Sequence, residues 1–252
     1  MDFLVFQLQA PLASWGDAAV GEYRGSLNYP GSSALTGLLG AALGIRREDD
    51  KAHLALSRGY RIAVGMVAEG ALLRDYHTAQ VPPEVALNGR LHRTRRDELS
   101  IPGYKLRTIL STRDYRSNGS WRVAVQEAEK PPYTLSCLRD ALMQPRFVLY
   151  LGRKSCPPAT PLDPQVIAAD TALAAFDVYH SRQSARLDTH KGDKKRAPLE
   201  YPSPIKQLAW SPGMPAGVEA DLSTVRKDRL LRRSLWQFGD RPEQVAILTK
   251  EV

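Results

Sequence analysis

PLASWGDAAVGEYRGSLNYPGSSALTGLLGAALGI, residues 11–45, decides how this chain is read. It leaves a short apolar strand, crosses a loop with Trp15, Tyr23, Arg24 and Tyr29, and enters a helix expected over about 33–43. Ser32 or Ser33 is a natural N-cap and Gly44 a natural stop. Between them Gly37, Gly40, Ala41 and Ala42 leave one flank nearly bare, which suits tight packing on a sheet or close approach by another backbone. The helix start also offers free N–H groups and a positive dipole end, a setting that accepts phosphate.

On either side the pattern is that of strands. Leu4, Phe6 and Leu8 alternate with Gln7 and Gln9, the signature of a half-buried strand. Tyr60, Ile62, Val64 and Met66 alternate again, Glu69 and Gly70 read as a turn, and residues 71–78 as the returning arm of a hairpin. Trp121, Val123 and Val125 form a later strand, Thr134 caps a helix to about Met143, Pro145 ends it, and 147–151 reads as a last strand. With the hairpin arm and the segment after it set aside, the order is that of an α+β, ferredoxin-like or RRM-type βαββαβ domain over 1–152. A basic segment is inserted at 81–108, and 153–252 reads as a C-terminal extension packing on the same domain, with a short helix near 165–176.

The net charge of +8 is concentrated rather than spread. Residues 90–116 carry a surplus of five positive charges, and 180–196 and 226–233 a surplus of four each, so the rest of the chain is net acidic. Charge gathered in patches faces a polyanion, and none of the patches has the apolar face of a membrane-surface helix. No run is long enough to span a bilayer, and the chain opens on a strand rather than a basic leader, so the expected compartment is the cytoplasm. Cys137 and Cys156 cannot build a disulfide framework or a four-ligand zinc site.

Chemistry-bearing patterns are scarce. The five histidines are scattered, and no zinc-protease, nucleophile-elbow or P-loop motif is present. No metal site, cofactor or catalytic set is therefore expected. A metal-independent ribonuclease needs only a base, an acid and a cation, for which Tyr76, His77, His92, Tyr104 and Lys105 are the available pieces. Binding of single-stranded RNA by aromatic stacking and phosphate contacts fits the patches better. Its candidates are Arg24 and Tyr29 in the first loop, Ser32 and Ser33 at the helix start, and Tyr76, His77, Thr78 and Gln80. Arg90, His92, Arg93, Arg95 and Arg96 follow, then Lys105, Arg107 and Arg113, and finally His180, Arg182 and Arg186. Trp15 reads as a packing anchor, and Tyr29 and His77 are open to the same reading.

PLASWG followed by SSALTGLLGAALGIRRED, then DYHTAQ (75–80), ILSTRDYRSNGSWRVAV (109–125) and PRFVLYLGRKSCPPATPL (145–162), resembles the CRISPR-associated protein five family in its CasD-like, type I-E Cascade branch. The resemblance covers about the first two-thirds of the chain and is looser beyond Leu162. It implies the same βαββαβ architecture and turns 81–108 into a β-hairpin thumb that folds over the guide RNA and touches a neighbouring backbone subunit. The implied function is a non-catalytic subunit in RNA-guided antiviral DNA targeting. It would cap the five-prime handle of the crRNA and link the backbone Cascade subunits to the large PAM-reading subunit, with no membrane partner. For the 188–196 loop, contact with target DNA and simple solvation both stand, and for 226–233 a solvated helix end and a subunit contact. Two alternatives remain: a precursor-crRNA endoribonuclease, as in type I-C relatives, and an unrelated RRM-type protein acting alone.

Overall fold

A computed structural model describes residues 1–16, 21–89, 93–189 and 204–248. Its elements run β1 (Asp2–Ala13), β2 (Trp15–Gly16), β3 (Tyr23–Arg24), β4 (Ser26–Leu27), α1 (Ser32–Leu43), α2 (Asp50–Gly59), β5 (Tyr60–Ala68) and β6 (Ala71–Val81). They continue with the single turns α3 (Glu84–Leu87) and α4 (Arg95–Glu98), then β7 (Arg107–Glu127), α5 (Leu135–Met143), β8 (Gln165–Ala168) and α6 (Ala172–Thr189). The chain closes with β9 (Gln207–Trp210), β10 (Leu222–Arg232) and β11 (Gln237–Ile247).

One large sheet organises the molecule in the order β10-β11-β9-β5-β7-β1-β8, with β3 and β6 also pairing with β7. The pairings along that path are antiparallel. Period-two alternation splits each central strand between two cores. Leu4, Phe6 and Leu8 of β1, with Trp121, Val123 and Val125 of β7, meet Leu35, Leu39, Leu56 and Leu138 from α1, α2 and α5. Phe3, Val5, Ala63 and Ala124 point the other way, against Ala172, Phe176 and Tyr179 of α6.

The structure departs from the sequence reading at five places. Residues 60–66 and 71–78 are not the two arms of a hairpin. A register slip between Met66 and Ala68, and Gly70 at φ +77°, bend the strand, and β6 runs on along the same partner, β7. The long hairpin is therefore β5–β6 against β7. The insert at 81–108 is correspondingly not a β-hairpin: the arm is made by residues 71–81 and 107–117, and the described part of its tip holds short helical turns. The expected strand at 147–151 keeps its alternation, with Leu149 and Leu151 buried and Val148 and Tyr150 exposed, but joins no ladder. Its N–H groups bond instead to the end of α1 and to the loop that follows 147–151, and β8 takes the place beside β1. The helix expected near 165–176 begins only at Ala172, as α6, its first residues being strand β8. Residues 226–233 lie in β10 and the turn after it, not at a helix end.

Candidate nucleic-acid interface

The arm is formed by β6 and the first half of β7, and eight of its eleven β6 residues are exposed, the other three half-buried. Side chains of paired residues share a face, so the register assigns each candidate to one side. Tyr76, Thr78 and Gln80 share theirs with Thr112, Leu110 and Thr108. His77 lies on the opposite side with Ser111, alongside Arg113 (paired with Asp75) and Arg107 (paired with Val81). Arg24 joins this second side through the parallel pairing of β3 with β7. Arg153 completes it, with its guanidinium 4.6 Å from the centre of the Tyr115 ring and bonded to the Arg24 carbonyl at 3.2 Å. One face of the arm thus presents four arginines and a histidine, and the other the exposed ring of Tyr76.

The base of the arm is fixed by groups the sequence reading missed. Asp114, only 2% exposed, accepts hydrogen bonds from Arg74 at 2.8 and 3.0 Å and from the Tyr23 hydroxyl at 2.5 Å. The Arg74 guanidinium holds the Asp114 carboxyl below the usual carboxylate range, and the same carboxylate raises the Tyr23 hydroxyl. These three residues lie far apart in sequence and come together only through the β6–β7 register and β3.

At the tip, Thr94 and Asp97 form a capping box over α4. Arg95 bonds to Glu98 at 2.8 Å and to the Gln80 carbonyl, so it is part of the tip's own structure. Arg93, Arg96 and Lys105 are exposed there. Arg90 and His92 lie outside the described residues, as do Lys191, Lys194, Lys195 and Arg196 of the basic loop.

Of three expected RNA contacts in this region, Tyr29 is buried, and Ser32 and Ser33 are half-buried. Tyr29 is 7% exposed, its hydroxyl donates to Glu243 at 2.8 Å, Arg226 covers its ring, and burial pushes its pKa up to about 12. Ser32 and Ser33 do not cap α1. Gly31 occupies the N-cap position, and the Ser32 N–H donates to the Asp228 carboxylate of β10 at 2.7 Å. The anion that a helix start attracts is thus supplied by the chain itself. Asp228 is in turn held by Arg241 at 2.6 and 3.1 Å, and Arg241 reaches Glu243 at 2.6 Å. The bare flank of α1 admits side chains rather than backbone, since Gly37 faces Arg233 and Gly40 faces His53. Trp15 is a packing anchor, edge-on to Trp121 at 5.1 Å.

On the far side of the sheet, His180 meets Arg122 at 3.2 Å, Arg182 reaches Gln165 at 3.4 Å and Arg186 pairs with Asp163 at 2.8 Å. They form a separate group from the arm. Among the described residues no cluster of three or more His, Cys, Asp or Glu could hold a metal ion, and no helix is long and apolar enough to cross a membrane.

A wide antiparallel sheet with helices on both faces is also the architecture of solved Cas proteins. A chain of a "CRISPR RNA-guided surveillance complex" superposes with a TM-score of 0.60 at 23% identity, over 97% of this chain and 89% of that one. A structure described as "Crystal structure of Cas protein" gives 0.55 at 24% identity, over 98% and 94%. The chain belongs to the CRISPR-associated protein Cas5 family, whose model matches residues 3–238. It is 30% identical over 193 residues to the CRISPR system Cascade subunit CasD of Escherichia coli strain K12, a match covering 70% of this chain and 80% of that one.

Proposed function

We propose that this chain is a non-catalytic, crRNA-binding subunit of a type I-E Cascade complex. In that role it caps the five-prime handle of the crRNA and links the backbone subunits to the large PAM-reading subunit. The observation that carries the reading is the basic face of the arm, where Arg24, Arg107, Arg113 and Arg153 line up with His77. The order β8-β1-β7-β5, with its helical crossovers, supports a ferredoxin-like core. The sheet face that an RRM-type protein offers to RNA is covered here by α6. That directs RNA to the arm.

Catalysis is disfavoured by the same register. Tyr76 and His77 are adjacent in sequence and point to opposite sides of β6, so they cannot act on one phosphate as base and acid. Likeness to a Cascade subunit favours a structural role as well. Co-expression with a repeat array and the neighbouring Cascade genes tests the reading. The chain should co-purify with crRNA and the other subunits, and the pure protein should leave repeat RNA intact with or without divalent metal. Purification as a free protein, or metal-independent cleavage of the repeat, would overturn it.

A further inference from the structure

Unpaired charge and exposed apolar surface meet at one place on the α1–α2 side of the sheet. The turn from β10 to β11 carries Arg233, Ser234, Leu235 and Trp236, with Leu235 and Trp236 both more than half exposed. Trp236 has φ +54°, a left-handed conformation that is strained for a bulky side chain. Two guanidiniums lie over its ring, Arg233 at 4.3 Å and Arg47 at 4.6 Å from the centre. Neither arginine has an ion pair among the described residues. The Nε of Arg233 is sealed without a hydrogen-bond partner, and burial and the charge of Arg47 both disfavour its cationic form. Asp50 is not spare, since it accepts from the Ser234 N–H at 2.8 Å and hydroxyl at 2.7 Å, and Asp49 caps α2. Two adjacent, uncompensated guanidiniums repel each other, and an added carboxylate relieves that repulsion.

The segment 147–150 adjoins this turn along α1. Arg233 packs on Gly37, and one helical turn further on the Ala41 carbonyl accepts from the Phe147 N–H at 3.1 Å. Tyr150 lies close enough to Arg233 to act on its charge. Leu149 and Leu151 are buried, which turns Phe147, Val148 (85% exposed) and Tyr150 outward. Between Phe147 and Leu151, the residues Val148, Leu149 and Tyr150 make no hydrogen bond among the described residues. A run with period-two side chains and an unpaired backbone is a docking edge for another strand. Aromatic rings, arginines and aliphatic side chains in one patch are the composition of a protein interface. RNA fits less well, because guanidiniums already engage the Trp236 ring and Leu235 and Val148 offer it no stacking or polar contact.

We propose that residues 147–150 and the β10–β11 turn form one docking surface for an extended segment of a neighbouring protein chain. A carboxylate of that segment pairs with Arg47 and Arg233, and its apolar side chains cover Leu235, Trp236 and Val148. This rests on the Cascade-subunit reading and adds the surface by which a protein neighbour is held, apart from the RNA-binding arm.

The test uses the full chain co-expressed with a repeat array and the neighbouring Cascade genes. Benzoylphenylalanine replaces Val148 in one variant and Leu235 in another, and the assembled complexes are irradiated and read by mass spectrometry of the linked peptides. Both positions should crosslink to one segment of a single protein neighbour, and that segment should contain Asp or Glu beside apolar residues. Leu235→Asp with Arg47→Glu, both at exposed positions, should reduce the amount of that neighbour in the purified complex at least about fivefold. The melting temperature of the free chain and its retention of crRNA should not change. The loss from Arg47→Glu alone should be rescued by exchanging the crosslinked acid for Arg. Crosslinks to crRNA or to a second copy of this chain, a linked segment without a carboxylate, or normal assembly of the double variant would overturn the proposal. If the complex forms and retains crRNA with positions 148 and 235 uncrosslinked, only the docking surface is refuted. If the chain purifies alone, the broader function fails with it.

Discussion

Replacing Asp228 should unseat the start of α1 from β10. Its carboxylate accepts the Ser32 N–H at 2.7 Å and two bonds from Arg241 at 2.6 and 3.1 Å, with both charged side chains near 12–13% exposed. Asp228→Ala removes a helix-cap bond, worth about 1 kcal/mol, and leaves a largely buried guanidinium short of one partner. Breaking a buried pair costs roughly 3–5 kcal/mol. Arg241 keeps Glu243 at 2.6 Å, which places the total near the lower end. The expected loss is about 3 kcal/mol, against a typical domain stability of roughly 5–15 kcal/mol. For a chain of this size that lowers the melting temperature by about 6–12 °C. Asp228→Asn still accepts from Ser32 and loses only the charge, so about half the effect is expected, on the order of 1–2 kcal/mol. Urea melts read both as a shift in midpoint at constant slope. A loss under about 0.5 kcal/mol for Asp228→Ala, or identical losses for Ala and Asn, would refute the assignment of this carboxylate as the cap of α1.

Gly70 sits at φ +77° with the Ser117 carbonyl 2.5 Å from where a Cβ would be, so Gly70→Ala should cost at least about 1–2 kcal/mol in a urea melt. Arg107→Ala with Arg113→Ala should reduce the salt slope of RNA binding by about 1.4, from two lost phosphate contacts, at unchanged melting temperature. Asp114 carries a lowered pKa, so its stabilising contribution is complete above the ordinary carboxylate range and is lost as pH falls through the folded value. Asp114→Asn should therefore flatten the acid limb of stability against pH. His53 is shifted down by burial and by Arg233, so the unfolded chain binds its proton first, and stability should fall as pH drops below about 6.5. His53→Gln should remove that slope in pH-resolved melts.

The parts of the fold carried by local pattern were legible. Leu4, Phe6 and Leu8 announced β1, Gly44 ended α1 in the left-handed region, and the Thr134 hydroxyl caps α5 by accepting from Cys137 at 3.2 Å. The errors share a physical origin, because alternation reports burial and does not identify the ladder partner. Leu149 and Leu151 are buried in strand-like alternation without joining the sheet, and Glu69 and Gly70 look like a hairpin turn while making a bend in one long strand. The QVI run at 165–167 carried a strand signal in its β-branched residues that the helix expectation passed over.

For the site, charge clustering located the arm but not its faces, which depend on the pairing sum between residues 71–81 and 107–117. Ser32 and Ser33 had the chemistry of an anion site, and Asp228, far along the chain, had already filled it. Arg74 and Asp114 gave no local signal, since their roles depend on partners on other elements.

The most direct test is ultraviolet crosslinking of crRNA to the chain within its assembled complex, read by mass spectrometry of the linked peptides. The account predicts crosslinks in the arm, at residues 76–80 and 105–113 and around Arg24 and Arg153. Crosslinks confined to β10 and β11, with the arm unmarked, would contradict it.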